Sequence, residues 1–208
     1  MADGDLVEAG AVLASVQGPA RSILAGERVA LNLLGHLCGV ATATRALVDR
    51  VEGTDATVID TRKTTPLWRQ LEKMAVEAGG GRNHRMGLFD AVLIKDNHIR
   101  AVGSADEAVR RARANVGDIM HVEVEIENVG DLEAVIAAGA DIVMLDNMAP
   151  AEMRRAVAVA GGRCLLEASG GVTLENIREV AETGVDLISV GWITHSAPAL
   201  DVALDFEG

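Results

Sequence analysis

The sequence is short of rings and of positive charge. Tyrosine is absent from its 208 residues, tryptophan and phenylalanine occur twice each, and aromatics make up 2 %. Lys and Arg number 19 against 31 Asp and Glu, a formal charge of −12. A chain so poor in stacking rings and basic surface lacks the means of a general nucleic-acid binder. The same charge opposes attachment to an anionic membrane. Cysteine is scarce too. Cys38 and Cys164 stand outside any CxxC or Cys/His metal spacing and sit among apolar residues, as spectator thiols of a reducing, cytoplasmic compartment do. No uninterrupted apolar run reaches the ~18 residues of a membrane span. The acidic start Met1–Asp5 has no apolar segment of the secretory kind behind it.

What is present is a globular balance, 49 % apolar and 24 % charged residues. Residues 1–25 carry turn signals at Asp3-Gly4-Asp5, Glu8-Ala9-Gly10 and Gln17-Gly18-Pro19 around short alternating apolar runs, which predicts two or three short strands. Gly26 to Val51 follows with Leu31, Leu34, Leu37 and Cys38 at helical spacing. From Ala56 onward, apolar runs at 57–59, 91–94, 121–124, 142–145, 164–166 and 187–190 alternate with helical patterns. Ser104-Ala105-Asp106-Glu107 is a capping box and Pro150 suits a first helical turn. Thr173 is placed to cap a helix that Gly184 closes. Ala138 to Asp146 echoes Thr183 to Gly191, each a helix stop followed by a buried strand. Alternating apolar strands and helices imply a parallel sheet covered by helices. The expected fold is a parallel α/β barrel, closed or nearly so. No GxGxxG follows the first strand, so a dinucleotide fold has no support.

Polar residues cluster directly after these strands. Arg62 and Lys63 follow the first, Lys95 the second, Glu125 and Glu127 end the third, and Asp146 follows the fourth. Ser169, Gly170 and Gly171 follow the fifth, and Gly191 the sixth. In a parallel barrel these ends share one rim, where active sites lie. Arg62, Lys63, His84, Arg85, Lys95 and His98 concentrate positive charge in an otherwise acidic chain. Cations brought together there call for a ligand with several carboxylates or phosphates; the plainer reading is a solvated patch. Glu125 and Asp146 on neighbouring strands offer a seat for hydrated Mg2+, or else structural salt bridges. The glycines after the late strands let backbone N–H groups approach a phosphate, or simply make turns. Gly79-Gly80-Gly81 is read as a loop presenting His84 and Arg85 to ligand. His36 and His121 are taken as structural.

At three places the sequence closely resembles the quinolinate phosphoribosyltransferase family, the nicotinate-nucleotide pyrophosphorylases. These are Asp60 to Pro66 (DTRKTTP), Gly79 to Leu88 (GGGRNHRMGL) and Leu93 to Ile99 (LIKDNHI). Gly26 to Asn32, Met144 to Met148 and Glu167 to Val172 match as well. The resemblance implies transfer of phosphoribosyl from phosphoribosyl pyrophosphate to quinolinate with loss of carbon dioxide, assisted by Mg2+. It implies that Arg62, His84, Arg85 and Lys95 hold the quinolinate carboxylates, with Arg28 reaching in from the partner of a homodimer. Lys63, Glu125 and Asp146 would take ribose, pyrophosphate and metal, and Ser169, Gly170, Gly171 and Gly191 the 5′-phosphate, with His195 near that end. Lys63, Lys95, Glu125 and Asp146 are the candidates for the chemistry itself.

The resemblance also implies roughly 70 more residues ahead of Met1 in the family's first domain. On that reading residues 1–40 are the remnant of an α+β sandwich domain, 41–195 the barrel, and 196–208 a tail returning to the first domain. Met74, Phe89, Glu77 and Trp192 depart from the family pattern, and Trp192 is placed to narrow the phosphate end. Three other readings remain open: a related phosphoribosyltransferase acting on another acid, a Schiff-base aldolase using Lys63 or Lys95, and an inactive shortened form. A lipoyl or biotinyl carrier fails, because no lysine precedes Lys63.

Overall fold

Each of the six apolar runs forms a strand. A computed structural model describes residues 1–206 and orders the elements as helix α1 (Ala20–Val51), β1 (Thr57–Ile59), α2 (Arg69–Ala78), β2 (Val92–Ile94), α3 (Asp96–Val102) and α4 (Ala105–Val116). After these come β3 (Val122–Ile126), a 3-10 turn, α5 (Leu132–Ala137), β4 (Ile142–Asp146), α6 (Pro150–Ala160), β5 (Leu165–Ser169), α7 (Ile177–Ala181), β6 (Leu187–Ser189) and α8 (Trp192–His195). All pairings are parallel, in the order β1-β6-β5-β4-β3-β2. The strands alternate strictly. Val122, Val124, Val143, Leu145, Leu166, Ala168 and Ile188 are buried under the helices, while the intervening residues face the concave side. The cylinder has one seam, since β1 and β2 are edges. The segment from Arg82 to Ala91 crosses it: Arg82 bridges to Ile59 beside β1, and Arg85 Nη1 donates to the Ala91 carbonyl before β2 at 3.2 Å.

Local signals act largely as read. Ser104 caps α4 by accepting from Glu107 N, and Pro150 opens α6. Three expectations need correction. Residues 1–19 form no strand; Leu6, Val12 and Val16 are 90, 76 and 59 % exposed. Alternation makes a strand only where a neighbour supplies a ladder and an apolar face, and nothing in this chain supplies either there. The first helix begins at Ala20, directly after Pro19, so Gly26 lies inside it rather than at its start. Thr173 caps a turn instead of a helix. Its Oγ1 accepts from Glu175 N, and α7 begins only at Ile177.

Helix α1 has two characters. An 18-residue window of it is apolar enough to cross a membrane by composition. Its second half is instead built into the barrel through Val40, Leu47 and Val51, while Leu24 and Val29 in its first half are exposed. Residues 198–202 lie across α1. Leu200 N donates to Gly35 O at 2.9 Å, and a Cβ on Gly39 would sit 2.1 Å from the Pro198 carbonyl oxygen, so no larger residue fits. The last two residues of the tail, 207–208, lie outside the described residues.

Leu67, directly after Pro66, is fully exposed at φ 69°. A left-handed L-residue costs ~1–2 kcal/mol, and glycine gives back roughly 0.5–1 kcal/mol of that as backbone entropy. Leu67→Gly should therefore stabilise the protein by up to about 1 kcal/mol, raising Tm by ~2–4 °C. A lower Tm in calorimetry would refute this.

Candidate active site

The strand registers bring the carboxyl-terminal residues to one rim. Leu93 pairs with Glu123, which carries Lys95 up to Glu125; their Nζ and Oε2 atoms are 3.3 Å apart. Asp146 stands opposite Ser169 on the next strand, and Asn147 N donates to the Ser169 carbonyl at 2.8 Å. This contact binds the β4 rim to the glycine loop after β5. Gly170 has φ 95°, and a Cβ there would lie 2.2 Å from Asn147 Oδ1, so a side chain at that point would strain the backbone and displace Asn147. Trp192 Nε1 donates to Val172 O at 3.0 Å, which lays the indole over the end of the same loop.

On the β1 side, Lys63, Gly191 and His195 converge. A Cβ on Gly191 would stand 3.0 Å from Lys63 Cδ and 3.7 Å from His195 Nε2. Thr194 Oγ1 donates to Lys63 O at 2.7 Å and ties the loop after β1 to α8. Arg69 fastens this loop to the next one: its guanidinium donates to Thr64 Oγ1, Arg62 O and Met86 O at 3.1–3.3 Å. The buried Glu72 accepts from Thr65 N at 3.0 Å and pairs with His36 of α1 at 2.8 Å.

Arg62 and Arg85 repel each other and make no ion pair among the described residues, although Glu123 and Asp90 attract Arg85 more weakly. Arg62 Nε is buried and has no hydrogen-bond partner among the described residues. The Arg85 guanidinium is held below its ordinary pKa, first by burial and then by repulsion from Arg62. An anion between them would satisfy the orphaned donor and relieve the repulsion.

His84 does not simply project from the glycine loop. Its backbone N–H donates to Asp60 Oδ1 at 2.8 Å, and its carbonyl accepts from Lys73 Nζ at 2.9 Å. Asp60 and Lys73 are also paired with each other, both fully buried. The ring enters the barrel, where Nε2 lies 2.9 Å from Glu123 and 3.4 Å from Glu167. Burial opposes a charged ring here, yet hydrogen bonds and attraction from Glu123 and Glu167 outweigh it and raise the pKa to about 10. Burial, together with its neighbour Glu167, likewise lifts Glu123 to about 7 against the opposing bond from His84. A histidine with a raised folded pKa adds stability that is complete below its unfolded value, 6.5, and is lost as pH rises toward about 10. Thermal stability should thus fall between pH 7 and 10, and fall less in His84→Asn; equal slopes in both proteins, by thermal melts across that range, would count against it.

Not every expected residue joins this constellation. Arg28 lies exposed on the first half of α1, with no ion pair among the described residues. His98 is turned back on its own helix, where Nδ1 accepts from Lys95 N at 2.9 Å. Asp60 was visible only as one more polar residue after a strand, and Lys73, Glu123 and Glu167 were missed as partners of His84. Two glutamates at alternate positions of one strand, Glu123 and Glu125, were the signal, because in a parallel strand both must face inward.

Sequence and structure comparisons agree with this geometry. A model of the quinolinate phosphoribosyl transferase C-terminal domain matches residues 40–205, and one of the N-terminal domain matches residues 1–38. The chain belongs to the quinolinate phosphoribosyltransferase family. The probable nicotinate-nucleotide pyrophosphorylase (carboxylating) of Bacillus subtilis is 48 % identical over 98 % of this chain and 70 % of its own length. The corresponding Mycobacterium leprae protein is 46 % identical over 98 % and 72 %. The crystal structure of NadC from Streptococcus pyogenes superposes with a TM-score of 0.93 at 44 % identity, over 97 % of this chain and 70 % of that one. Helix α1, Ala20–Val51, runs unbroken across the junction between the two matched parts.

Two groups in this family member could hold a cation. The ligand atoms of His84, Glu123 and Glu167 lie within 4.8 Å of one another, but a nitrogen donor deep in the barrel does not suit hydrated Mg2+. Glu125 and Asp146 offer oxygen alone, at the rim, with room for water, and they fit that ion. A cavity of about 380 Å3 on the outer side of Glu125 has Asp96, Glu127 and Asp131 in its wall.

Proposed function

We propose that this chain transfers the phosphoribosyl group of phosphoribosyl pyrophosphate to quinolinate, releasing pyrophosphate and carbon dioxide and forming nicotinate mononucleotide in NAD biosynthesis. The unpartnered Arg62 Nε beside Arg85 carries this reading, because two partly buried guanidiniums that repel each other and make no ion pair among the described residues match a planar diacid. Arg62, Arg85 and His84 take the ring carboxylates, and Lys95 closes the pocket from β2. Lys63 reaches the pyrophosphate from beside Gly191, and Ser169, Gly170 and Gly171 receive the 5′-phosphate, with His195 beside Lys63 at that end. Magnesium held by Glu125 and Asp146 would supply Lewis-acid neutralisation of the leaving pyrophosphate.

The ring nitrogen bonds to the ribose anomeric carbon as pyrophosphate leaves, and the rim carboxylates favour the cationic sugar between these events. The bond to the 2-carboxylate then breaks to release carbon dioxide, its electron pair stays on ring carbon 2, and that carbon takes a proton from water; the arginines favour the negative charge that develops there. Much of the acceleration comes from aligning two anions that would otherwise repel. Arg28, exposed and without an ion pair among the described residues, is assigned to the site of a second copy in a homodimer. Lone, half-buried cysteines suit a cytoplasmic setting.

A Schiff-base role is disfavoured: Lys95 is ion-paired and half-exposed and Lys63 is exposed, whereas such lysines are desolvated. The test is carbon dioxide release from carboxyl-labelled quinolinate. Release that requires both phosphoribosyl pyrophosphate and Mg2+ is expected. No release, or consumption of nicotinate in place of quinolinate, would overturn the assignment.

A further inference from the structure

Four charged side chains inside the barrel have no task in the reaction just described. Asp60, Lys73, Glu123 and Glu167 are 0, 0, 1 and 0 % exposed. They come from the loop after β1, from α2, from β3 and from β5, and all four meet at His84. Asp60 and Lys73 neutralise each other and hold the His84 backbone at both of its polar atoms. Glu123 and Glu167 differ. Neither pairs with Lys or Arg, and Glu123 Oε1 and both Glu167 oxygens have no hydrogen-bond partner among the described residues. Buried carboxylates left this bare are costly, and replacement by apolar residues would be the stabilising choice. Among the described residues their polar neighbours are each other and His84 Nε2, which lies 2.9 Å from Glu123 and 3.4 Å from Glu167.

We propose that Glu123 and Glu167 are positioning residues for the reaction, acting through His84: they hold the ring by Nε2 as a cation, so that only Nδ1 is able to change partner and meet a substrate carboxylate. The inference rests on the quinolinate reading above. In the structure Nδ1 lies 2.6 Å from the Arg85 backbone N–H, a contact that a doubly protonated ring has to give up. Uptake of a second proton, which the two carboxylates favour against burial, turns Nδ1 from acceptor to donor and breaks that contact. The freed N–H then points to an anion as its natural acceptor. The other charges facing the ring are the Asp60–Lys73 pair, which compensates itself, and Arg85, the next residue. The glutamates thus place a third positive donor beside Arg62 and Arg85 without exposing a carboxylate to a dianionic substrate.

The test uses Glu123→Gln and Glu167→Gln, each alone and in a His84→Asn background, with KM for both substrates and kcat measured separately. Each single variant should raise the quinolinate KM about tenfold, the loss of a charge-assisted bond, and leave the phosphoribosyl pyrophosphate KM within about twofold. In the His84→Asn background the same changes should add little. Unchanged quinolinate KM, or an effect of equal size without His84, would overturn the proposal. A second readout needs neither variants nor turnover: 15N-histidine NMR of the unmodified protein should show a doubly protonated His84 ring at pH 8. A neutral ring there would sink the proposal whatever the substrate is, and so would zinc bound stoichiometrically to the three side chains in the purified protein. A protonated ring in a protein that releases no carbon dioxide would place the error in the quinolinate reading instead.

Discussion

Arg85→Ala should lower kcat/KM for quinolinate by roughly 10²–10³-fold, the cost of deleting one member of a buried charge-assisted contact. The loss should fall mainly on the quinolinate KM, because Arg85 crosses the barrel seam on the side away from Lys63 and Gly191. Arg85→Lys should recover little: a point charge does not replace a planar fork that grips a carboxylate with two parallel bonds. Stability should move the other way. In the unliganded protein Arg85 is disfavoured by burial and by Arg62, so the alanine variant should melt at the same temperature or higher. A joint fall in activity and Tm would show Arg85 to be a structural part of the seam. Steady-state kinetics and a thermal melt on the same preparation decide between these outcomes.

Asp60→Asn should be the most destabilising change in the barrel. Lys73 is fully buried, and among the described residues its ammonium bonds only to Asp60 and the His84 carbonyl. Removing the carboxylate charge leaves a buried cation uncompensated, at ~3–5 kcal/mol, a large share of the ~5–15 kcal/mol that stabilises a typical domain. Urea unfolding should show that loss with an unchanged m-value. Adding Lys73→Met removes the stranded charge, and the double variant should recover more than half of it. A single variant within about 1 kcal/mol of the parent would mean that Lys73 escapes to solvent. Asp60 and Lys73 also hold the backbone of His84, so on the proposed function the same change should reach quinolinate binding.

Legibility from sequence followed the range of the interaction. The six strands were plain because parallel strands buried on both faces are written as short apolar runs, and the helix starts at Ser104 and Pro150 because a cap is a contact of three or four residues. Residues 1–19 misled for the opposite reason: Leu6, Val12 and Val16 alternate like a strand, but a strand needs partners. His84 shows the same limit. Gly79-Gly80-Gly81 marked a loop that presents His84 and Arg85 to ligand, but not the buried partners of the ring; Glu123 and Glu167 lie at Nε2 and Asp60 and Lys73 hold the backbone, all of them far away in sequence.

Composition and local pattern alone determined that this chain is an acidic α/β protein with a parallel sheet, with cations gathered after its first two strands and glycines after its last two. Those properties depend on neighbours along the chain, where backbone geometry dictates which side chains share a face. Tertiary structure alone decided that β1 and β2 are edges, that the segment 82–91 crosses between them, that Arg62 and Arg85 are left facing each other, and that two glutamates lie under His84. Each of these joins residues far apart in sequence, and the balance of burial against charge at such a meeting exists only once the barrel has formed.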